Sequence, residues 1–164
     1  MRNKDWLTAE EARSRLSYDP ETGSLKWKRL HNTLRIGEEA KSIDVGGYVQ
    51  INIAGTMCKG HRLAWLIHYG AWPVGHIDHI NGDRADNRIA NLREVTNAIN
   101  CQNKRKPLPK NKTGLLGVTF QAGAYRATVM VNRKQHHLGR FKTAEEAHAA
   151  YVEAKRRMHE GCTL

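Results

Sequence analysis

The sequence predicts an α+β fold in two parts, each of which joins short antiparallel strands to helices. Three observations support this. Apolar and polar residues alternate over several short runs, which is the period of a half-buried strand. The residues Thr-Ala-Glu-Glu-Ala occur at 8–12 and again at 143–147, and each copy has the threonine and glutamate of a helix capping box. A basic segment with two prolines separates the two parts.

The N-terminal part is predicted to be a small scaffold of helices and strands. Its elements are a helix over 7–16, a strand over 24–28, a hairpin of strands 48–53 and 57–61, and a helix over 62–69. Gly70 follows the last apolar residues and is expected to end that helix. This scaffold leads into a polar stretch, residues 75–100, and a further helix is expected from Val95 to about Arg105.

The C-terminal part is predicted to be a small sheet with one long helix. Strand-like runs cover 116–120, 125–131 and 135–141, and a helix covers roughly 144–160. Alternation predicts that Tyr125, Ala127, Val129 and Val131 face this helix. We therefore expect a first domain over 1–105, a basic linker over 106–113 and a second domain over 114–164.

The charge of the chain is strongly positive and unevenly distributed. Residues 1–100 hold 14 Lys and Arg against 12 Asp and Glu, a net +2, whereas residues 101–164 hold 13 against 4, a net +9. Such cationic surface suits nucleic acid or an anionic membrane. No basic helix with a broad apolar face is present, which favours nucleic acid.

Nothing in the sequence predicts export or a disulfide framework. The N-terminus lacks the apolar segment of a secretory signal, and no long apolar run is present, so we expect a cytoplasmic protein. The cysteines, Cys58, Cys101 and Cys162, are isolated and odd in number. They are interpreted as reduced thiols.

The polar stretch is rich in oxygen and imidazole donors. A magnesium-like ion prefers hard oxygen ligands, keeps several waters and needs only one or two protein side chains. Asp78 and an asparagine carbonyl meet that need, and the adjacent His79 is a natural base for deprotonating water. Successive residues of a regular strand point to opposite faces, so both side chains can reach one ion only if the backbone bends. Asn81-Gly82 permits such a bend.

The spacing of this stretch resembles the His-Asn-His (HNH) nucleases. Asn91 follows His79 by twelve residues, and Asn100 follows Asn91 by nine. The pattern looks most like the phage and intron-encoded branch, in which Asp and Asn replace two metal-binding histidines, and the likeness covers about residues 18–105. It implies a ββα-metal unit at about 75–105. Within it, His79 would be the general base, Asp78 and Asn100 the ligands of a divalent metal, Mg²⁺ or Mn²⁺, and Asn91 the brace of the loop.

The C-terminal part resembles the APETALA2-type DNA-binding domain of plant regulators, relatives of which follow HNH units in phage nucleases. The likeness lies in 113–119, 125–129, 137–147 and Ala150-Tyr151. It implies a three-stranded antiparallel sheet on one helix, with the free face of the sheet in the major groove. Several Arg and Trp positions of the plant domain are Thr, Gln or His here, so the preferred DNA site does not carry over.

Together these features predict a DNA endonuclease of the phage or homing type that nicks or cuts its substrate. The side chains expected to contact DNA are Arg84, Arg88, Arg93, Lys104, Arg105, Lys106, Thr119, Gln121, Arg126, Thr128, Arg133 and His137. His61, beside an apolar helix, is interpreted as a packing or DNA-contact residue rather than a ligand. We expect a monomer that acts on double-stranded DNA, with no membrane partner and no small-molecule cofactor, in the cytoplasm of the host if the gene belongs to a phage. The alternatives are a non-catalytic DNA-binding regulator and an RNA-binding or RNA-cutting protein.

Overall fold

The computed structural model describes residues 7–28, 36–103, 105–108 and 110–163. The chain divides into two compact units, an N-terminal unit of residues 1–96 and a C-terminal unit of residues 97–164. Within the described ranges, no helix combines the length and the apolar character needed to cross a bilayer.

The N-terminal unit contains small antiparallel sheets and two described helices. Its elements are helix α1 (Ala9–Arg15), strands β1 (Leu16–Tyr18), β2 (Leu25–Trp27), β3 (Ser42–Ile43), β4 (Val49–Ile53) and β5 (Thr56–Lys59), helix α2 (Gly60–Tyr69), and strands β6 (His76–His79) and β7 (Leu92–Val95). Strand β1 pairs with β2, β4 lies between β3 and β5, and β6 pairs with β7. A 3₁₀ turn, Ile89–Asn91, precedes β7.

Helices α1 and α2 pack on the sheets through a shared apolar core. The buried side chains of this core include Leu16, Leu25, Val49, Ile51, Ile53, Leu63 and Leu66. A capping box of Thr8 and Glu11 starts α1, and Gly70, in the left-handed conformation, ends α2. The Arg13 guanidinium donates to the Ile67 carbonyl at 2.6 Å and 3.0 Å, which ties the two helices together.

A second, smaller apolar cluster places the β6–β7 hairpin against α2. Ala64 of α2 packs with Ile77 of β6 and Leu92 of β7. The hairpin pairs His76 with Val95 and His79 with Leu92. Packing of Ile77 and Leu92 against α2 therefore fixes where the polar residues of β6 lie.

The C-terminal unit is a three-stranded sheet packed on a long helix. A short helix precedes the sheet in the chain. Its elements are helix α3 (Asn97–Gln102), strands β8 (Val118–Gln121), β9 (Ala124–Val131) and β10 (Lys134–Phe141), and helix α4 (Ala144–Met158). Strand β9 is central, and Ala127 and Val129 on its inner face contact the core side of α4. The turn between β9 and β10 has Asn132 and Arg133 at φ 49° and 64°, as a tight two-residue hairpin turn requires.

Most elements predicted from the sequence are present, and the α+β class is confirmed. Both capping boxes start helices, and the β4–β5 hairpin and the β8–β10 sheet lie close to where alternation indicated. The helix expected from Val95 starts instead at Asn97, because Leu92–Val95 pairs with β6. This helix groups with the C-terminal unit, where the Gln102 side chain accepts a hydrogen bond from the Gly161 amide at 2.9 Å. The expected domain boundaries, near 105 and 113, thus differ from the division of the chain into units.

Candidate active site

His79, the expected general base, is buried at the end of β6. Its side chain is 4% exposed. The Nε2 atom lies 3.4 Å from Oδ1 of Asn87, and the ring contacts the rings of Tyr48 and His61, with centroids 5.9 Å and 5.1 Å away. His79 is therefore enclosed by side chains from α2, from the residue before β4 and from the loop before the 3₁₀ turn.

This environment favours a neutral imidazole at His79. Burial lowers the pKa of His79 because it removes water from the charged form, while the Asn87 hydrogen bond and the charges of Asp78, Asp83 and Asp86 partly oppose that effect. A neutral ring retains the lone pair that a general base needs at neutral pH. The electrostatics of the pocket thus suit the role expected for His79.

Asp78, which precedes His79 in the sequence, is also buried, and its carboxylate contacts Arg93. Its Oδ2 atom accepts hydrogen bonds from Nη2 of Arg93 at 2.8 Å and from Nε at 3.0 Å. Arg93 is the cross-strand partner of Asp78 on β7, so sheet pairing creates this ion pair. Arg93 was expected to contact DNA, and here its guanidinium orients the Asp78 carboxylate.

Asn91 closes the loop between β6 and β7 with its side-chain amide. Its Oδ1 atom accepts from the Asn81 amide at 2.9 Å, and its Nδ2 atom donates to the Asp86 carbonyl at 2.8 Å. The Asn91 carbonyl also accepts from the Ile80 amide. These bonds connect both ends of the loop, and the role of Asn91 as a brace stays a prediction. Gly82, at φ 77°, makes the turn that follows His79.

Asn100, the second expected metal ligand, lies on α3 in the C-terminal unit, whereas Asp78 and His79 lie in the N-terminal unit. The Asn100 side chain is half-buried. Convergence of Asp78 and Asn100 on one ion stays a prediction. In the described part of the chain, no group of three His, Cys, Asp or Glu side chains is arranged to hold a metal.

A cationic rim surrounds the ring of Tyr48, which borders the His79 pocket. The Arg84 guanidinium and the Lys59 ammonium lie 4.9 Å and 5.0 Å from the Tyr48 ring centroid. Lys59 also pairs with Asp44, and Nη1 of Arg84 donates to the Gly46 carbonyl at 2.8 Å. The rim therefore presents positive charge next to the expected base.

The other arginine expected near the site pairs within the loop. Arg88 donates to both carboxylate oxygens of Asp86, at 2.9 Å and 2.6 Å, and this partner lowers the pKa of Asp86 to about 2. Half of the Arg88 side chain stays exposed, so the pair lies at the surface of the loop.

Sequence reasoning missed four residues of this pocket: Tyr48, Lys59, His61 as a neighbour of the base, and Asn87. Tyr48 and Lys59 lie far from the motif in sequence, and the pairing of β4 with β5 brings them near it. Asn87 lies within the polar stretch, residues 75–100. Its complete burial beside a histidine has no signal in the sequence.

The outer face of the β8–β10 sheet carries several side chains expected to contact DNA. Thr119 pairs with Arg126 across β8 and β9, and Thr128 pairs with His137 across β9 and β10. The Arg126 guanidinium donates to Nδ1 of His137 at 3.1 Å. Gln121 and Arg133 are exposed at the strand ends. These side chains form one polar surface.

Arg140 was not predicted to contact DNA, although it belongs to this surface. It is exposed and is the cross-strand partner of Arg126. The register of β10 shifts between His137 and Gly139, and strict alternation along the strand does not predict which face Arg140 occupies beyond that shift.

The basic segment before the sheet contains three side chains that were expected to contact DNA, and the structure describes two of them. Lys104 lies outside the described residues, and Lys106 is exposed. Arg105 donates to the carbonyl and the hydroxyl of Thr163, both at 2.6 Å. Thus Arg105 is held within the C-terminal unit by the end of the chain.

Comparison with known families supports the sequence motif. Residues 58–102 match the family model described as HNH endonuclease, a segment that begins in β5 and includes Asp78, His79, Asn91 and Asn100. Searches of curated proteins and of solved structures gave no significant match. The family match supports an HNH nuclease, an enzyme that hydrolyses phosphodiester bonds.

Proposed function

We propose that this protein is a metal-dependent DNA endonuclease of the phage or homing type. The observation that carries the proposal is a buried histidine whose surroundings keep it neutral, next to a buried carboxylate, inside the segment that matches HNH endonucleases. Hydrolysis of a phosphodiester requires such a base to activate water. The basic rim and the basic C-terminal unit supply attraction for the polyanionic substrate.

His79 takes the proton of the attacking water in this proposal. The Asn87 carbonyl oxygen opposite Nε2 favours the tautomer with the proton on Nε2, because an amide oxygen only accepts. The basic lone pair is then on Nδ1. Contacts with Tyr48, His61 and Asn87 hold the ring in one orientation, so little reorganisation is needed when water binds.

A divalent metal ion fits the chemistry of the expected donors. Asp78 offers a carboxylate oxygen and Asn100 an amide oxygen, both hard ligands, and water and substrate phosphate would complete the shell. When bound, the ion would stabilise charge on the phosphate and the leaving oxygen. Arg93 orients the Asp78 carboxylate through two hydrogen bonds. Asn91 holds the loop that connects the two strands of the site.

The C-terminal unit is proposed to read double-stranded DNA with the outer face of its sheet. Arg126, His137 and Arg140 lie together on that face, and Thr119 and Thr128 lie beside them. Guanidinium and hydroxyl groups of this kind contact base edges and phosphates. Because both modules are on one chain, binding by the reader raises the effective concentration of DNA at the nuclease, and a monomer suffices.

The test is cleavage of a supercoiled plasmid by the whole protein, with Mg²⁺ or Mn²⁺ and after chelation. Wild type should nick or linearise the plasmid only with metal, and His79→Ala should lose at least about 100-fold in rate while it still binds DNA. Asn100→Ala should be impaired and His68→Ala, an exposed position on α2, should behave as wild type. Undiminished cutting by His79→Ala would contradict the assignment of the base. Binding by wild type with no cutting under any metal condition would instead favour a DNA-binding regulator.

A further inference from the structure

His61 packs directly against the proposed base and has no established role there. It lies in the first turn of α2 and is 8% exposed. Its ring meets the ring of His79 edge to face, at a centroid distance of 5.1 Å and an interplanar angle of 87°. On another side, its ring contacts Tyr48 at 5.4 Å. His61, Tyr48 and His79 thus form one cluster of rings.

The position of His61 is fixed by a close approach at Gly60. A Cβ atom at Gly60 would lie 2.8 Å from Val49 and 3.0 Å from Nδ2 of Asn87, so only glycine lets α2 begin this near to both. Asn87 is also the hydrogen-bonding neighbour of His79. The two groups that contact the base, the His61 ring and the Asn87 amide, therefore come from elements that touch each other at Gly60.

His61 contributes no hydrogen bond through Nδ1 that would explain its burial. That atom is buried and has no hydrogen-bond partner among the described residues. Burial of a polar atom without a partner costs free energy, so hydrogen bonding through Nδ1 does not hold His61 in place, and the contacts of its flat ring remain as what positions it. Burial, together with the charges of His79, Arg62 and Lys59, lowers the pKa of His61 to about 3. The ring is therefore uncharged at neutral pH, as edge-to-face packing against another imidazole favours.

We propose that His61 is a positioning residue, whose flat ring packs edge-on against His79 and holds that imidazole in the orientation needed for catalysis. The inference rests on the proposed function, since it assigns His79 as the base. His61 acts through His79 and does not touch the substrate. The ring contact prevents rotation of the His79 imidazole away from Asn87, and misplacement of a catalytic group by about 1 Å can cost about 100-fold in rate.

Two apolar substitutions of similar bulk separate this role from simple filling of space. His61→Phe keeps a flat ring, whereas His61→Leu fills the space without one. We expect His61→Leu to lower kcat for plasmid nicking by about 10- to 100-fold with KM nearly unchanged, and His61→Phe to stay within about threefold of wild type. His68→Leu, on the exposed side of the same helix, is the matched control and should match wild type.

A second measurement reports the orientation of His79 without catalysis. Ring-nitrogen NMR shifts show which nitrogen of His79 carries the proton, and the His79→Ala spectrum assigns them. Wild type and His61→Phe should show a single tautomer with the proton on Nε2, and His61→Leu should show a mixture. If His61→Leu does not fold by circular dichroism, His61→Met, also apolar and without a ring, replaces it.

Three outcomes would overturn the proposal: equal loss of kcat in the Phe and Leu variants, no loss in either, or an unchanged His79 tautomer in the variant that lacks a ring. Absence of nicking by wild type would reject the proposed function. The tautomer comparison would then decide the positioning role alone, because it depends on ring packing and not on turnover.

Discussion

The buried His61 should make the N-terminal unit sensitive to mild acid. The pKa of His61 is about 3 in the folded protein, against 6.5 for an ordinary histidine. Between these values the unfolded chain binds a proton that the folded protein does not. Protons therefore favour the unfolded state, and the free energy of unfolding falls as pH drops below about 6.5 until it levels off near 3.

The size of the effect follows from the two pKa values. Linkage gives a loss of about 0.7 kcal/mol at pH 6 and about 2 kcal/mol at pH 5, relative to pH 7, from His61 alone. His61→Phe removes the titrating group and keeps an apolar ring in its place. The difference between the two proteins therefore reports the titration of His61 together with its coupling to His79.

Urea unfolding followed by tryptophan fluorescence is the suitable assay, because all four tryptophans lie within residues 1–96 and so report on the N-terminal unit. From pH 7 to pH 5, wild type should lose about 2 kcal/mol more than His61→Phe. His68→Phe, at an exposed position of α2, should keep the wild-type loss. Equal losses in wild type and His61→Phe would refute the buried neutral imidazole.

Three further outcomes are expected. Because burial lowers the pKa of His79, the rate of plasmid nicking should remain high below pH 6.5 and fall only at more acid pH, and a midpoint at or above 6.5 would contradict this. Arg126→Ala and Arg140→Ala should each weaken DNA binding and reduce the slope of log affinity against log salt by about one, whereas an unchanged slope would remove that arginine from the interface. Gly117→Ala should destabilise the C-terminal unit by more than about 3 kcal/mol in a thermal melt, because Gly117 has φ 73° and a Cβ there would lie 2.0 Å from the Tyr151 ring.

Local chemistry explains why much of the fold could be predicted from the sequence. A capping box satisfies amides within the same turn of helix, so Thr8 and Thr143 predict helix starts wherever the helix packs. Alternation along β9 separates a face that meets α4 from a polar face. The intervals between His79, Asn91 and Asn100 likewise belong to the sequence, and they led to the same family as the match over residues 58–102.

The partners of the site residues depended on contacts between distant segments. Arg93 was expected to contact DNA, and strand pairing places it on Asp78. His61 was interpreted as a packing or DNA-contact residue, and the approach of α2 at Gly60 brings its ring to His79. Alternation and spacing assign a residue to a face of its own element, but they do not determine which residue of another element lies opposite.

The sequence by itself determined the α+β class, the helix starts, the polar face of the C-terminal sheet and the residues of the nuclease motif. Only the tertiary structure decided that His79 is buried among Tyr48, His61 and Asn87, and hence that its pKa is lowered. The physical reason is that helix capping and strand alternation act over a few residues, whereas burial and ring contacts arise when elements far apart in the chain pack together.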